Sequence, residues 1–174
     1  TYVLARGAYD APKTADQLVG RTVPAFLPPM RVSKPNRFDL ANWMVSKDNP
    51  LAARVAVNRF WMQLFGRGIV ETAEDFGVQG SRPTHPELLD WLASDFRDHN
   101  WDVKRLLKMI ALSDAYGRTS NVSKLQRQLD PDNKFFARGP SGRLSAEQIR
   151  DVALSVAGLL DRKMGGPPVS PYQP

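Results

Sequence analysis

The chain has 174 residues, 43 of them Leu, Ile, Val or Phe, which is enough apolar material for a buried core in a domain of ordinary size. It carries 24 basic and 18 acidic side chains, for a net charge of +6, but no Cys and only two His, His85 and His99. These counts exclude disulfides, thiolate metal sites, Cys nucleophiles, covalently attached c-type haem and any site of three or more histidines, and no apolar run reaches the ~18–20 residues of a membrane span.

Residues 1–36 hold five of the 14 prolines and a charge of +3. Pro-rich chain sustains neither helix nor inner sheet. The segment therefore reads as an extended arm. Thr1–Arg6 is a candidate edge strand, and Phe26, Leu27 and Met30 are expected to dock on the helices that follow. A first helix is predicted over about 37–47, ending at Asp48-Asn49-Pro50, because the residue before a proline is pushed out of the α region.

The second predicted helix, 51–65, has Asp48 or Asn49 as cap, Pro50 at its first turn and Gly66 as a left-handed stop. Its apolar residues surround nearly the whole circumference, and a helix of that kind is expected at the centre of a fold. Gly66, Gly68, Gly77 and Gly80 then mark a loop with tight positive-φ turns. Thr84 and Glu87 have capping-box spacing, with His85 as the first helical residue. The third helix runs to about Arg97, with a stripe of Leu88, Leu89, Leu92, Ala93 and Phe96.

Asp102 caps a fourth helix, about 103–112, striped by Val103, Leu106, Leu107 and Ile110. Residues 117–144 are polar and loop-like, with a helical turn near 122–129. Ser145 and Gln148 form a second capping box, opening a fifth helix to about Leu160. The fold class is thus mainly α: a compact domain of about five helices around the central helix 51–65, with long Pro/Gly-rich arms and at most one or two short strands. Residues 1–36 form an arm of the same domain and 37–174 the helical body.

Candidate functional residues are few. Arg54 and Asn58 lie one turn apart on the central helix. A buried guanidinium needs a carboxylate partner, and Asp75, Glu87 and Glu147 are the candidates. Such an Arg either presents a fork to an acidic ligand or belongs to a structural pair that ties the glycine loop to the core. Glu71, Glu74 and Asp75 sit close together, with His85 ten residues on. Carboxylates and one His can hold a hard cation or run acid–base chemistry, or simply face solvent. Arg54, Asn58, Arg59, Asp75, His85 and Glu147 make up the candidate cleft; catalytic residues are not assigned, and no cofactor or metal is expected. Asp130-Pro131-Asp132-Asn133 lacks the Gly and the terminal Glu of a calcium loop and reads as a turn. The four Trp can stack sugars or bases, but Trp43 and Trp61 fit a core, with Trp91 and Trp101 half exposed.

Longer strings carry a resemblance. Asn49-Pro50-Leu51-Ala52-Ala53-Arg54-Val55-Ala56-Val57-Asn58-Arg59-Phe60-Trp61, Leu64-Phe65-Gly66-Arg67-Gly68, Asp75-Phe76-Gly77, Thr84-His85-Pro86-Glu87-Leu88-Leu89-Asp90-Trp91-Leu92, Arg143-Leu144-Ser145-Ala146-Glu147-Gln148-Ile149-Arg150-Asp151 and Gly165-Gly166-Pro167-Pro168-Val169 are the main ones. Together they resemble the planctomycete-specific C-terminal domain of unknown function, found downstream of a planctomycete cytochrome-c-like domain in large exported proteins. Ala73, where the pattern has Pro, and Asp114-Ala115-Tyr116-Gly117 depart from it.

The resemblance implies a non-catalytic accessory or interaction domain of an exported multidomain protein, cut short at its C-terminus, with export resting on the resemblance alone. Its expected partners are other domains of the same polypeptide, among them a cytochrome-c-like domain, or a polysaccharide. The charge distribution, close to neutral over residues 37–117, disfavours nucleic acid. Two alternatives stand beside this: a hydrolytic, polysaccharide-active module using carboxylates of region 71–90, and a haem-free docking partner in electron transfer.

Overall fold

The computed structural model describes residues 2–3 and 9–166. It is mainly helical, with six α-helices among the described residues: α1 (Arg37–Met44), α2 (Ala52–Phe65), α3 (Pro86–Asp98), α4 (Val103–Ala111), α5 (Lys124–Leu129) and α6 (Ala146–Val156). The predicted edge strand reduces to one antiparallel bridge between Tyr2 and Leu18, beside a short 3₁₀ turn at Ala15–Gln17; the rest of 1–6 lies outside the described residues, apart from Val3. The chain forms two compact units, 1–140 and 141–174.

Helix boundaries follow from local chemistry. Asn36 caps α1, its side-chain oxygen accepting from Phe38 N and Asp39 N, while Asp39 returns a bond to Asn36 N. Asn49 caps the entry to α2 by accepting from Leu51 N (2.9 Å) and Ala52 N (3.2 Å). Gly66 ends α2 at φ 75°, a conformation that costs a side-chain-bearing residue about 1 kcal/mol or more. Asp102 caps α4 and the Ser145–Gln148 box opens α6. The helix α6 is shorter than expected, because Gly158 turns left-handed at φ 70° right after its C-cap.

The capping box expected at Thr84–Glu87 is not formed. The Thr84 hydroxyl and amide both donate to Ile69 O, at 3.2 and 2.9 Å. His85 is the N-cap, Pro86 is the first helical residue, and the His85 side chain makes no cap bond. The competing acceptor, a carbonyl of the preceding loop, captured the hydroxyl that local spacing assigned to the helix end.

The core of the first unit lies where α2 packs along α3 and touches α4. Val57, Trp61 and Phe65 of α2 meet Leu89, Leu92 and Phe96 of α3, Leu106 and Ile110 of α4, and Ile69 and Val70 of the loop. Aromatic rings fill its centre. Trp61 stacks on Phe65 at 4.2 Å, and Phe136 meets both rings edge-on at 5.2 and 5.3 Å. Phe136 comes from the segment expected to be polar loop. Asp130 accepts from the amides of Lys134 and Phe135, and Asn133 is bonded twice to Arg138. This closed turn holds Phe136 at φ 53° and drives its ring inward.

Two expectations about apolar residues fail on exposure. Phe26 is 82 % exposed rather than docked, whereas Leu27 and Met30 are half-buried. The helix α2 is apolar all round but is not enclosed all round. Ala53, Val57, Asn58, Trp61 and Phe65 are buried on one side, Leu51 and Val55 on the other side are only partly covered, and Ala56 and Phe60, also partly covered, sit at the boundary and still touch the core.

The positive-φ reading of the loop glycines holds at Gly66 alone. Gly68 is required for a different reason. A Cβ there would run into the Val70 carbonyl and lie 2.8 Å from both polar atoms of the Asn58 amide. Replacing Gly68 by Ala is therefore expected to lower stability by about 1–3 kcal/mol, the usual cost of forcing a methyl into a packed site. Gly20→Ala, with no atom within 4 Å of its Cβ, is expected to be near neutral. Urea midpoints of the two variants check the contrast.

Candidate functional site

Asn58 is fully buried and bonded through both ends of its amide. Its Nδ2 donates to Val70 O and its Oδ1 accepts from Val70 N, both at 2.9 Å. One amide thus satisfies both backbone groups of a loop residue that is 2 % exposed. The tie between the glycine loop and the core is thus this amide, not the ion pair expected of Arg54.

Arg54 does not share that role. None of its expected partners, Asp75, Glu87 or Glu147, pairs with it; Asp90 of α3 does, with Nε donating to Oδ1 at 2.6 Å. A second guanidinium nitrogen donates to Pro50 O. The pair is not closed in the core, since 34 % of the Arg54 and 56 % of the Asp90 side-chain surface is exposed. The hydrogen bond from Arg54 holds the Asp90 carboxyl below the usual carboxylate range, against the opposing effect of partial desolvation.

Arg59, one turn beyond Val55, is exposed and pairs with Glu74 at 3.2 Å. Asp75 turns back on its own loop. Its Oδ1 accepts from Gly77 N at 2.7 Å, while its carbonyl accepts from the Thr72 hydroxyl. Phe76 of this loop packs against the core, but Val78 stands fully exposed. His85 places Nδ1 2.9 Å from the Thr84 hydroxyl, and its ring lies 5.6 Å from Phe136 and 6.4 Å from Phe135. Among the described residues, no hydrogen bond or ion pair joins any two of Arg54, Asn58, Arg59, Asp75 and His85. No cluster of three His, Asp or Glu side chains with metal-binding geometry occurs among them either. Glu147 belongs to the second unit. There it sits exposed in the first turn of α6, its carboxyl held low by its own backbone amide and the Ser145 hydroxyl.

The tightest ionic contact was not among the candidates. Asp95 of α3 takes both forks of Arg105 of α4, one at 3.1 Å, and the His99 ring lies 3.2 Å from its Oδ1. Asp95 is 13 % exposed in its side chain. The Arg105 hydrogen bonds hold its carboxyl below the usual range, outweighing desolvation. Spacing within one helix cannot reveal it, because the partners lie on two helices joined through His99–Trp101.

An open apolar surface in this unit lies elsewhere. Leu27, Trp43, Met44, Leu51, Val55 and Phe60 line a groove of about 590 Å³ between the arm, α1 and α2. The Trp43 indole N–H reaches out of it to Pro28 O at 2.6 Å, pinning the arm to α1.

The fold is that of a mainly helical domain with no assembled catalytic constellation among the described residues. The chain belongs to the PSD1 family, a protein family of unknown function (DUF1553), which matches residues 36–174. The match begins at Asn36, the residue that caps α1. No curated protein and no solved structure matches the chain.

Two outcomes follow from the electrostatics. Arg54→Ala is expected to cost no more than about 1 kcal/mol, the range of an exposed pair, well short of the loss a buried pair would give. Thermal unfolding of the variant measures it. Asp90 and Asp95 have native pKa values below their unfolded ones, so their contribution is complete above about pH 4 and declines as pH falls through the lowered native values. Urea midpoints taken from pH 7 down to pH 2 are expected to fall only below about pH 4. Asp95→Asn is expected to flatten that fall.

Proposed function

We propose that this chain is a non-catalytic helical interaction domain within an exported, cytochrome-c-associated multidomain protein, and that it docks a neighbouring domain of the same polypeptide. The observation that carries the reading is the two-faced α2. One face is consumed by the core, and the other is an apolar groove of about 590 Å³ that the arm and α1 cover only in part. Exposed apolar surface of this kind marks protein-interaction or ligand-binding sites. The polar side chains a catalytic reading would use are otherwise employed: Asn58 on Val70, Arg54 on Asp90, Arg59 on Glu74 and Asp75 on its own loop.

The haem of such a protein belongs to the cytochrome-c-like neighbour, and the resemblance of the 49–61 and 84–92 strings to the planctomycete domain supports that setting and an exported location. A complex between this chain and the neighbouring cytochrome-c-like domain is expected in sedimentation velocity. Met44→Glu, at a half-exposed groove position, is expected to weaken it. Release of reducing ends from a polysaccharide by the purified chain, with no complex formed, would instead support the hydrolytic reading through the 71–90 carboxylates.

A further inference from the structure

Between Asp16 and Asp39 the chain carries four cations, Arg21, Arg31, Lys34 and Arg37, and no acid. The fold gathers three of them around one ledge. Arg21 and Arg37 border a hollow of about 430 Å³ whose apolar lining is Met30, Pro35 and Leu40. Lys34 borders an adjoining hollow of about 440 Å³, and Arg21 and Pro35 line both. The Arg21 guanidinium is held in place by Pro35 O at 3.3 Å, which spends one of its five donors and leaves the others unassigned.

Neutralisation within the chain has been avoided here. Arg31 pairs with Asp48 at 3.7 Å, but Arg21, Lys34 and Arg37 make no ion pair among the described residues. The carboxylate nearest in sequence, Asp39, is bonded to Asn36 N at 2.8 Å, inside the α1 cap. Phe38, beside Arg37, is 72 % exposed. The arrangement is an apolar lining beside cations that are unpaired among the described residues.

We propose that this ledge is the docking surface for an acidic, apolar segment of a partner protein, whose carboxylates meet Arg21, Lys34 and Arg37 and whose apolar side chains fill the hollow over Met30, Pro35 and Leu40. The proposal rests on the reading of the chain as an interaction domain and adds the chemistry of its partner. Charge complementarity chooses an acid, and planar guanidinium forks suit carboxylates. The apolar lining chooses a peptide over a polyanion of sugars or nucleotides. A nucleic acid would call for stacking rings, and the lining of the hollow offers aliphatic and proline surface instead. The ledge straddles the start of the family match: Arg21, Met30 and Pro35 precede Asn36, while Arg37 and Leu40 follow it. Partner choice is thereby built partly from the arm, outside the matched region.

The test is titration of the full chain with a short synthetic peptide alternating Glu and Leu, against the same peptide with Gln for Glu, and against heparin. The expected result is binding of the Glu peptide that weakens with added salt and falls about tenfold or more in Arg21→Glu/Arg37→Glu, with the Gln peptide weaker than the Glu peptide. Lys34→Glu, which leaves the Arg21–Pro35 contact untouched, is expected to weaken binding in the same direction. Equal binding of the Glu and Gln peptides, preference for heparin, or unchanged binding in all the charge-reversed variants overturns the proposal. If the peptide fails while the neighbouring domain still binds, the ledge is not the site but the interaction-domain reading stands; if the neighbouring domain fails as well, that reading falls too.

Discussion

The glycine loop after α2 buries Ile69 and Val70 almost completely, and buried backbone needs partners. Val70 finds both of its partners on one side chain, the amide of Asn58. Much of the first unit depends on this exchange. It requires Gly at position 68, because the amide and the Val70 carbonyl occupy the space a Cβ would take. It holds Ile69 where its carbonyl can receive the amide and hydroxyl of Thr84, which sets the entry to α3. The helix α3 then lies along α2, and its own Asp95 grips α4 through Arg105. A buried amide that lost one of its bonds would cost roughly 1–3 kcal/mol for the orphaned group, so the clamp constrains sequence as much as geometry.

The same clamp accounts for the two-sided character of α2. Its Asn58 side is committed to the loop and to α3, so its other apolar side is left to the arm and α1. The helix α1 is short and largely exposed, with Phe38, Met44 and Val45 all facing outward in good part. What covers the second side of α2 is therefore thin. An apolar groove and a cationic ledge, unpaired among the described residues, together suit a partner that is apolar and acidic; the ledge lies at the first turn of α1 and the groove at its last, and the arm contributes to both.

The helices and their caps at Asn49, Gly66, Asp102 and Ser145 were legible in the sequence, because each depends on residues within one turn. The α3 stripe was legible for the same reason. Features set by distant chain were not. Thr84 left its capping box for a carbonyl 15 residues earlier, and Arg54 chose Asp90, 36 residues on, over the three acids considered for it. Phe136 looked like loop because the device that buries it is a set of side-chain-to-backbone bonds from Asp130 and Asn133, with no helical period to announce it. Among the candidate cleft residues, the oddity of Asn58 on an apolar helix was a true signal, but of a backbone clamp. The signal for the cationic ledge, a stretch of 22 residues without an acid, was present in the composition and became meaningful only once Arg21, Lys34 and Arg37 were seen around shared hollows.

Amide hydrogen exchange of Val70 in the native full chain tests the central claim most directly. If Asn58 clamps the loop to α2, the Val70 N–H exchanges only when the whole unit opens, with the protection of Trp61 in the middle of α2. Exchange of Val70 at the rate of Val78, at the exposed tip of the same loop, would contradict it, and the loop would then move independently of the core.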